Sequence, residues 1–248
     1  MSQEDEQKPT STVARREGVM DESRWESVVA NLKTIGGAVV LALIIRTVLF
    51  EPFEIDGPSM EPTLLHGDRV VVAKFLYGIF LPLRDEAVIT WGAPNLGDVV
   101  ILKSPADGVD IVKRVIGLPR DTIELRAGLV YRNGDPLQMR DRGECSVGRG
   151  LEHNQDPYRS ALHRCHWRES EIDGRTFLTS GGPDSAYHQP VRVPPGEIFV
   201  LGDHRDTSND SRAIGTIPIS RIKGRALAIY WSHGDDGLRW SRMLESVR

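Results

Sequence analysis

The sequence predicts a mainly β protein: an antiparallel β-sheet domain with an irregular insert, preceded by one N-terminal transmembrane helix. Three observations carry that expectation. Short Val/Ile runs bounded by Gly, Pro and Asp recur from Arg69 to Trp231, the mark of strands and turns. Helix-period patterns are scarce. One long apolar segment, Thr34 to Phe50, stands apart from both. A chain of 248 residues, 40% hydrophobic, can bury a sizeable core in one or two domains, and no internal repeat is visible. A net charge of −4 argues against a nucleic-acid binder working through a broad basic face.

Taken in order, residues 1–33 read as a cytoplasmic tail, polar and unstructured as far as Val19. Trp25, Val28, Val29 and Leu32 then have helical spacing and lead toward the span. Residues 34–50 form the expected anchor, uninterrupted from Ile35 to Ile45. The run falls short of the roughly 20 residues that cross a bilayer. Extension through Val28–Leu32 and snorkelling of Arg46 make up the length. A buried core helix fits the length as well. A cleaved signal peptide fits poorly, because the run starts far into the chain and Leu49-Phe50-Glu51-Pro52 lacks a small-residue site. Arg15, Arg16, Arg24 and Lys33 precede the span, and Arg69 is the first cation after it, so the tail is expected inside and the bulk outside.

Directly after the span comes Phe53-Glu54-Ile55-Asp56-Gly57-Pro58-Ser59-Met60-Glu61-Pro62-Thr63-Leu64. Pro58 and Pro62 fix φ and remove donors, and Gly57 permits a close approach of another backbone. A stiff loop of this kind presents the Ser59 hydroxyl and leaves nearby N–H groups free, as a nucleophile and its oxyanion donors require. A plain surface turn has the same punctuation.

Strands are predicted at Arg69–Ala73, Val99–Leu102 and Asp110–Ile116. In the third, Ile111, Lys113 and Val115 share one face, and Val112, Arg114 and Ile116 the other. A lysine among aliphatic groups loses solvation, which favours the neutral amine and makes it a candidate general base. A lysine on an edge strand with its head in water is the ordinary alternative. A hairpin follows over Asp121–Arg132 with a turn at Asn133-Gly134. Residues 135–190 lose regular pattern and read as an irregular insert, either a small subdomain or a lid. They hold both cysteines, Cys145 and Cys165, which outside the cytoplasm suggest one disulfide or else two free thiols. His163 and His166 beside Cys165 fit none of the usual zinc spacings, so no metal is expected.

The second part of the β core, 191–232, opens with a strand over Gly196–Leu201. A dense polar run, Gly202 to Arg212, comes next. It is either a solvated loop or a self-bonded network fixing a catalytic side chain. A final strand pair is expected, Ile222–Arg225 into Ala226–Trp231. The tail 233–248 is read as a terminal helix docked on its own domain or, less simply, lying on a membrane surface.

Four of these stretches, in order and behind an anchor, resemble the bacterial type I signal peptidases (leader peptidases). Ser59-Met60-x-Pro62-Thr63-Leu64 is similar to that family's nucleophile box, Gly97-Asp98-Val99-Val100 to its next strand box, and Lys113-Arg114-Val115-Ile116-Gly117-Leu118-Pro119 to its lysine box. Gly202-Asp203-x-Arg205-Asp206-x-Ser208-x-Asp210-Ser211-Arg212 is similar to its polar box. Together the boxes and the anchor cover most of residues 40–230 outside the insert.

The resemblance implies a membrane-anchored Ser–Lys serine endopeptidase that removes signal peptides from exported preproteins after small residues. It implies an inner-membrane location with the catalytic domain, first part 51–134, on the periplasmic side. Partners would be signal peptides and the lipid bilayer, with no nucleic acid and no cofactor. Ser59 would be the nucleophile and Lys113 the general base. Ser208 would orient the lysine, Asp210 and Arg212 would brace the site, and Arg114 would support the outer face of its strand. An extended substrate would pair beside the Ser59 loop and the Lys113 strand, with Phe53, Ile55, Met60, Leu64 and Val112 lining small pockets.

Two places depart from the family pattern. Gly57 stands where many members carry a serine of the oxyanion hole, leaving backbone N–H groups, chiefly that of Ser59. Arg120 stands where the family has a turn glycine, so a local change of turn is expected. Two rival readings are a self-cleaving Ser–Lys regulator of the repressor family and a membrane-tethered β-rich binding module. The first would need a DNA-binding domain in place of the anchor. The second is disfavoured by intact Ser59, Lys113 and Ser208.

Overall fold

The computed structural model describes residues 22–44, 49–80, 86–144, 166–182, 187–234 and 237–248. The chain divides into two units, Met1–Leu43 and Ile44–Arg248. What is described of the first is α1 (Glu22–Ile44), on which Trp25, Val28, Leu32, Ile35, Val39, Val40 and Leu41 are all exposed. The expected anchor at 34–50 falls partly on this helix. Residues 45–48 lie outside the described residues, and Phe50 already opens a strand. Among the described residues no helix is long and apolar enough to cross a membrane.

The second unit is built from strands, most of them bounded by the Gly, Pro or Asp punctuation seen in the sequence. The first six are β1 (Phe50–Glu54), β2 (Asp68–Ala73), β3 (Gly78–Ile79), β4 (Ile89–Thr90), β5 (Val99–Lys103) and β6 (Asp110–Gly117). Then come β7 (Thr122–Arg126), β8 (Leu129–Arg132), β9 (Asp135–Pro136), β10 (Gln138–Glu144), β11 (His166–Ile172) and β12 (Arg175–Gly181). The last are β13 (His188–Arg192), β14 (Glu197–Leu201), β15 (Ile217–Pro218), β16 (Ile222–Gly234) and β17 (Gly237–Leu238), with a short helix α2 (Ser211–Ile214) before β15.

The main sheet runs β1-β2-β16-β5-β6-β14-β15, with β17 folded onto β16. Antiparallel sheets β13-β7-β8-β9 and β10-β11-β12 and the small β3-β4 pair complete the unit. Alternating side chains give three buried clusters. One gathers Ile55, Met60, Leu64, Val70, Val99, Ile101 and Val112 on one face of the main sheet. Tyr77, Val100, Leu102, Val115, Ile198 and Val200 fill a second. Ile116, Ile123, Leu125, Phe177 and Phe199 join the main sheet to the smaller ones.

Four expectations need correction. The stretch 135–190 is not irregular in its described parts, which form β9 to β12 and most of β13. Its hairpin turns at Asp173-Gly174, both at positive φ (51° and 72°), as an Asp-Gly hairpin does. The polar character of Arg168, Glu169 and Glu171 hides the buried Trp167, Ser170 and Ile172 beside them. Cys145 and Cys165 lie outside the described residues. The hairpin at 121–132 turns at Ala127-Gly128, and Asn133-Gly134 instead joins β8 to β9. The expected pair at 222–231 is one long strand, because bulges near Gly224, Ala228 and Trp231 bend it while pairing continues. The segment after β17 packs on its own unit as expected, but as a single 3-10 turn (Trp240–Arg242) and extended chain, not as a helix.

Candidate active site

The Ser59 loop leaves β1 and returns to β2. Its neck is closed by Ile55 N–H to Asp68 O (2.8 Å) and Gly67 N–H to Ile55 O (3.0 Å). Within it, Glu61 N–H donates to Pro58 O and Leu64 N–H to Met60 O, each at 3.0 Å, while Met60 and Leu64 sink into the core as plugs. These bonds hold Ser59 at the crest. The Ser59 carbonyl accepts from His204 N–H (3.1 Å), which ties the loop to the polar run after β14.

Lys113, on β6, which β16 and β5 separate from β2 in the main sheet, is placed so that Nζ stands 2.9 Å from Ser59 Oγ. It donates at 2.9 Å to Val112 O and is 3% exposed. Among the described residues no carboxylate is bonded to it. Burial draws its amine down from 10.5 to about 8; the charges of Asp210 and Asp203 oppose that shift, and Arg212 adds to it. On its outer side β6 pairs with β14 only from Arg114 to Gly117. The stretch Asp110–Lys113 has no strand partner there among the described residues.

Arg114, expected to support the outer face of its strand, is fully buried. Its Nε and Nη2 hold both oxygens of Asp203 at 2.8 and 2.7 Å, and Nη1 donates to Gly97 O at 2.9 Å. The guanidinium stacks 4.1 Å above the Phe177 ring. The planar fork suits a buried carboxylate, whose two oxygens it satisfies together. Thr63, in the Ser59 loop, donates to Asp203 Oδ2 at 2.5 Å and accepts from Arg114 at 3.2 Å. The loop, the lysine strand and the polar run therefore meet at one ion pair.

Asp210 braces the far side. It accepts from Gly202 N–H (2.9 Å) and from Arg212 Nε and Nη2 (2.8 Å each), and caps α2 through Arg212 N–H. Burial pushes its carboxyl up, but the Arg212 guanidinium and the Gly202 N–H outweigh that and hold it below the usual carboxylate range. Arg212 also donates to Arg205 O (2.6 Å) and Ser208 O (3.3 Å). Arg205, buried to the point that its guanidinium falls to about 10, donates to Gly202 O.

Gly202 has no alternative residue. A Cβ there would sit 2.4 Å from Ser59 O and 2.2 Å from Ser208 Oγ. The Ser208 hydroxyl, expected against Lys113, lies buried in that space with no hydrogen bond to the lysine. Of the two oxyanion donors expected, Ser59 N–H donates to nothing among the described residues, whereas Gly57 N–H faces His66 Nδ1 at 3.4 Å. Gly57 itself takes φ +93°, with open space where a side chain would project. Ile55, Met60, Leu64 and Val112 form one buried cluster with Phe53 packed against it, directly beneath the loop.

Four contributors were not singled out in the sequence: Thr63, Asp203, Arg205 and Phe177. Asp203 and Arg205 could have been found, because charges directly after a buried strand need partners. Phe177 carried no signal. Its strand β12 also exchanges backbone bonds with the polar run: Ser180 N–H donates to Asp203 O (2.9 Å), and Arg205 N–H to Ser180 O (2.8 Å).

A hydroxyl beside a dry amine, with a free N–H at the hydroxyl's own residue, has the chemistry to activate a nucleophile without a histidine. Comparison with known proteins gives the family. Residues 28–231 match the family described as "Signal peptidase, peptidase S26". Signal peptidase I of Pseudomonas fluorescens is 34% identical over 213 residues, covering 81% of this chain and 71% of the relative. The probable signal peptidase I-1 of Synechocystis is 34% identical over 83% of each chain, and signal peptidase I of Bacillus licheniformis 33% identical over 81% of this chain and 87% of the relative. The chain belongs to the signal peptidase family, peptidase S26, and is a serine endopeptidase.

Proposed function

We propose that this protein cleaves N-terminal signal peptides from exported preproteins after small residues, with Ser59 as nucleophile and Lys113 as general base. The carrying observation is the 2.9 Å approach of a lysine amine, 3% exposed and drawn down to about 8, to Ser59 Oγ. At pH 7 roughly a tenth of such amines are neutral, about 300-fold more than for an unshifted lysine. The neutral Nζ takes the proton as Ser59 Oγ bonds to the scissile carbonyl carbon. Negative charge then develops on the carbonyl oxygen, toward Ser59 N–H. The ammonium returns the proton to the leaving amine, and the acyl group remains on Ser59. Water, deprotonated by the same amine, then hydrolyses that ester and restores both side chains.

The open edge at Asp110–Lys113 supports backbone pairing with an extended substrate. Phe53, Ile55, Met60, Leu64 and Val112 supply the apolar floor of its side-chain pockets. Asp210 and Arg212 act through Gly202 and the backbone of the polar run, not by touching the lysine. In this reading residues 34–50 anchor the protein in the bacterial inner membrane, with the tail cytoplasmic and the catalytic unit outside.

The test is cleavage of a preprotein carrying an Ala-x-Ala site, by full-length protein in detergent, for wild type, Ser59→Ala and Lys113→Ala. Cleavage at the expected bond by wild type alone upholds the proposal. Cleavage that survives in both variants overturns it.

A further inference from the structure

We infer that the segment following β17 is part of the catalytic apparatus, with Arg242 a positioning residue that holds the Ser59 loop. The inference rests on Ser59 being the nucleophile. Arg242 is the last residue of the 3-10 turn, far from the four sequence boxes. Its Nη2 donates to Thr63 O at 2.9 Å and to Asp68 Oδ2 at 2.6 Å, so one guanidinium spans the descending limb of the loop and its neck. Asp68 is fully buried, and its Oδ2 also accepts from Leu65 N–H (2.9 Å), while Oδ1 accepts from Ser232 Oγ (2.6 Å). Beside it, Arg239 Nη1 donates to His66 O and His233 O, 3.0 Å each, which binds the next part of the same limb to β16. Gly67, between them, cannot take a side chain, since a Cβ would meet His233 O at 2.2 Å.

The segment is itself held in place. Leu244 N–H donates to Ile229 O (2.7 Å), Ile229 N–H to Glu245 O (2.9 Å) and Val247 N–H to Leu227 O (2.8 Å), so it lies along β16. Val247 packs against the cluster containing Met60 and Leu64. Thr63 is thus gripped twice. The Arg114–Asp203 pair takes its hydroxyl from the lysine side, and Arg242 takes its carbonyl from the opposite limb. With both grips in place, Ser59 Oγ cannot drift from Lys113 Nζ. A nucleophile displaced by about 1 Å loses on the order of 10²-fold in rate.

The experiment compares kcat, KM and Tm for wild type, Arg242→Gln, Arg242→Lys and Arg225→Gln, with Ser59→Ala alongside. Arg225 pairs at 3.3 Å with the buried Asp98, which Arg175 also holds at 2.6 Å, and reports what losing one guanidinium from a buried carboxylate off the Ser59 loop costs. Arg242→Gln is expected to lower kcat on the order of 10²-fold with KM within about threefold. The pH midpoint of activity should stay where it is in wild type, because Arg242 is not among the charges acting on Lys113. Arg242→Lys keeps the charge but loses the second nitrogen, Nε, that holds Asp68 at 3.2 and 3.3 Å, so it should recover only part of kcat even if the glutamine variant folds poorly. Wild-type kcat in folded Arg242→Lys, or equal kcat loss in Arg225→Gln at equal Tm, overturns the inference. Cleavage by Ser59→Ala would instead overturn the assignment of the nucleophile.

Discussion

Lys113 and Arg114 are neighbours on one strand, equally removed from water, and the molecule handles their charges in opposite ways. Arg114 is given both oxygens of Asp203, the Gly97 carbonyl and an aromatic face. Lys113 is given one hydroxyl, one carbonyl and no bonded carboxylate. A cation that must stay charged receives an anion. Lys113, which the proposed mechanism needs neutral, is left dry, with Asp203 and Asp210 near enough to limit the shift but bonded elsewhere. The difference teaches that burial draws a lysine toward neutrality only where no carboxylate is bonded to it.

The comparison breaks most sharply at Lys113. Lys113→Arg keeps the charge and cannot become neutral, so cleavage should fall on the order of 10³-fold or more, as for Lys113→Ala. Near-normal turnover by the arginine variant, measured on a preprotein, would end the general-base assignment.

Next in size is the neighbouring pair. Arg114→Met leaves Asp203 buried and unpaired, at a cost of about 3–5 kcal/mol, or about 10 °C in Tm for a chain of this size. The double variant Arg114→Met/Asp203→Leu should recover much of that loss in a thermal melt, without recovering activity. A double variant no more stable than the single would show that Asp203 contributes something beyond its charge.

Lys113 also makes stability depend on pH. Its pKa is lower in the folded state than the 10.5 of the unfolded chain, so the unfolded chain binds more protons between about pH 8 and 10.5. Wild-type stability should therefore climb across that window relative to Lys113→Met, with an amplitude of about 3 kcal/mol at most. Below pH 8 the buried charge is at its most costly. Parallel denaturation curves for the two proteins from pH 7 to 10 would contradict the shift.

The smallest effect concerns Arg120. It takes a left-handed conformation (φ 77°), inside the turn closed by Asp121 N–H to Leu118 O at 3.0 Å. Arg120→Gly should raise stability by about 1 kcal/mol with unchanged kcat, as read by urea denaturation.

The main sheet was legible because its strands are continuous apolar runs: β5, β6 and β14 appear almost at their true limits. β11 and β12 were not, since on that hairpin Arg and Glu sit among the buried Trp167, Ser170 and Ile172 without a clean alternation, and only Asp173-Gly174 announced it. Ser59 and Lys113 could be named because Pro, Gly and a misplaced cation are local signals. The Asp203–Arg114–Thr63 junction and the Arg242 clamp join residues separated by 51 to 179 positions. No local pattern encodes such partners. Burial of a charge says only that one must exist. Ser208 shows the converse, a residue named by resemblance whose hydroxyl fills space beside Gly202 without reaching the lysine.

The most direct test of a dry, unpaired base is the pH dependence of kcat/KM for cleavage of an Ala-x-Ala preprotein by wild type between pH 5.5 and 10. The account requires a single rising limb with its midpoint near 8, the value to which burial brings the Lys113 amine. A midpoint about 6.5, the range of an ordinary imidazole, would point to a histidine in place of Lys113, and the absence of any limb in this range would remove Lys113 from the mechanism.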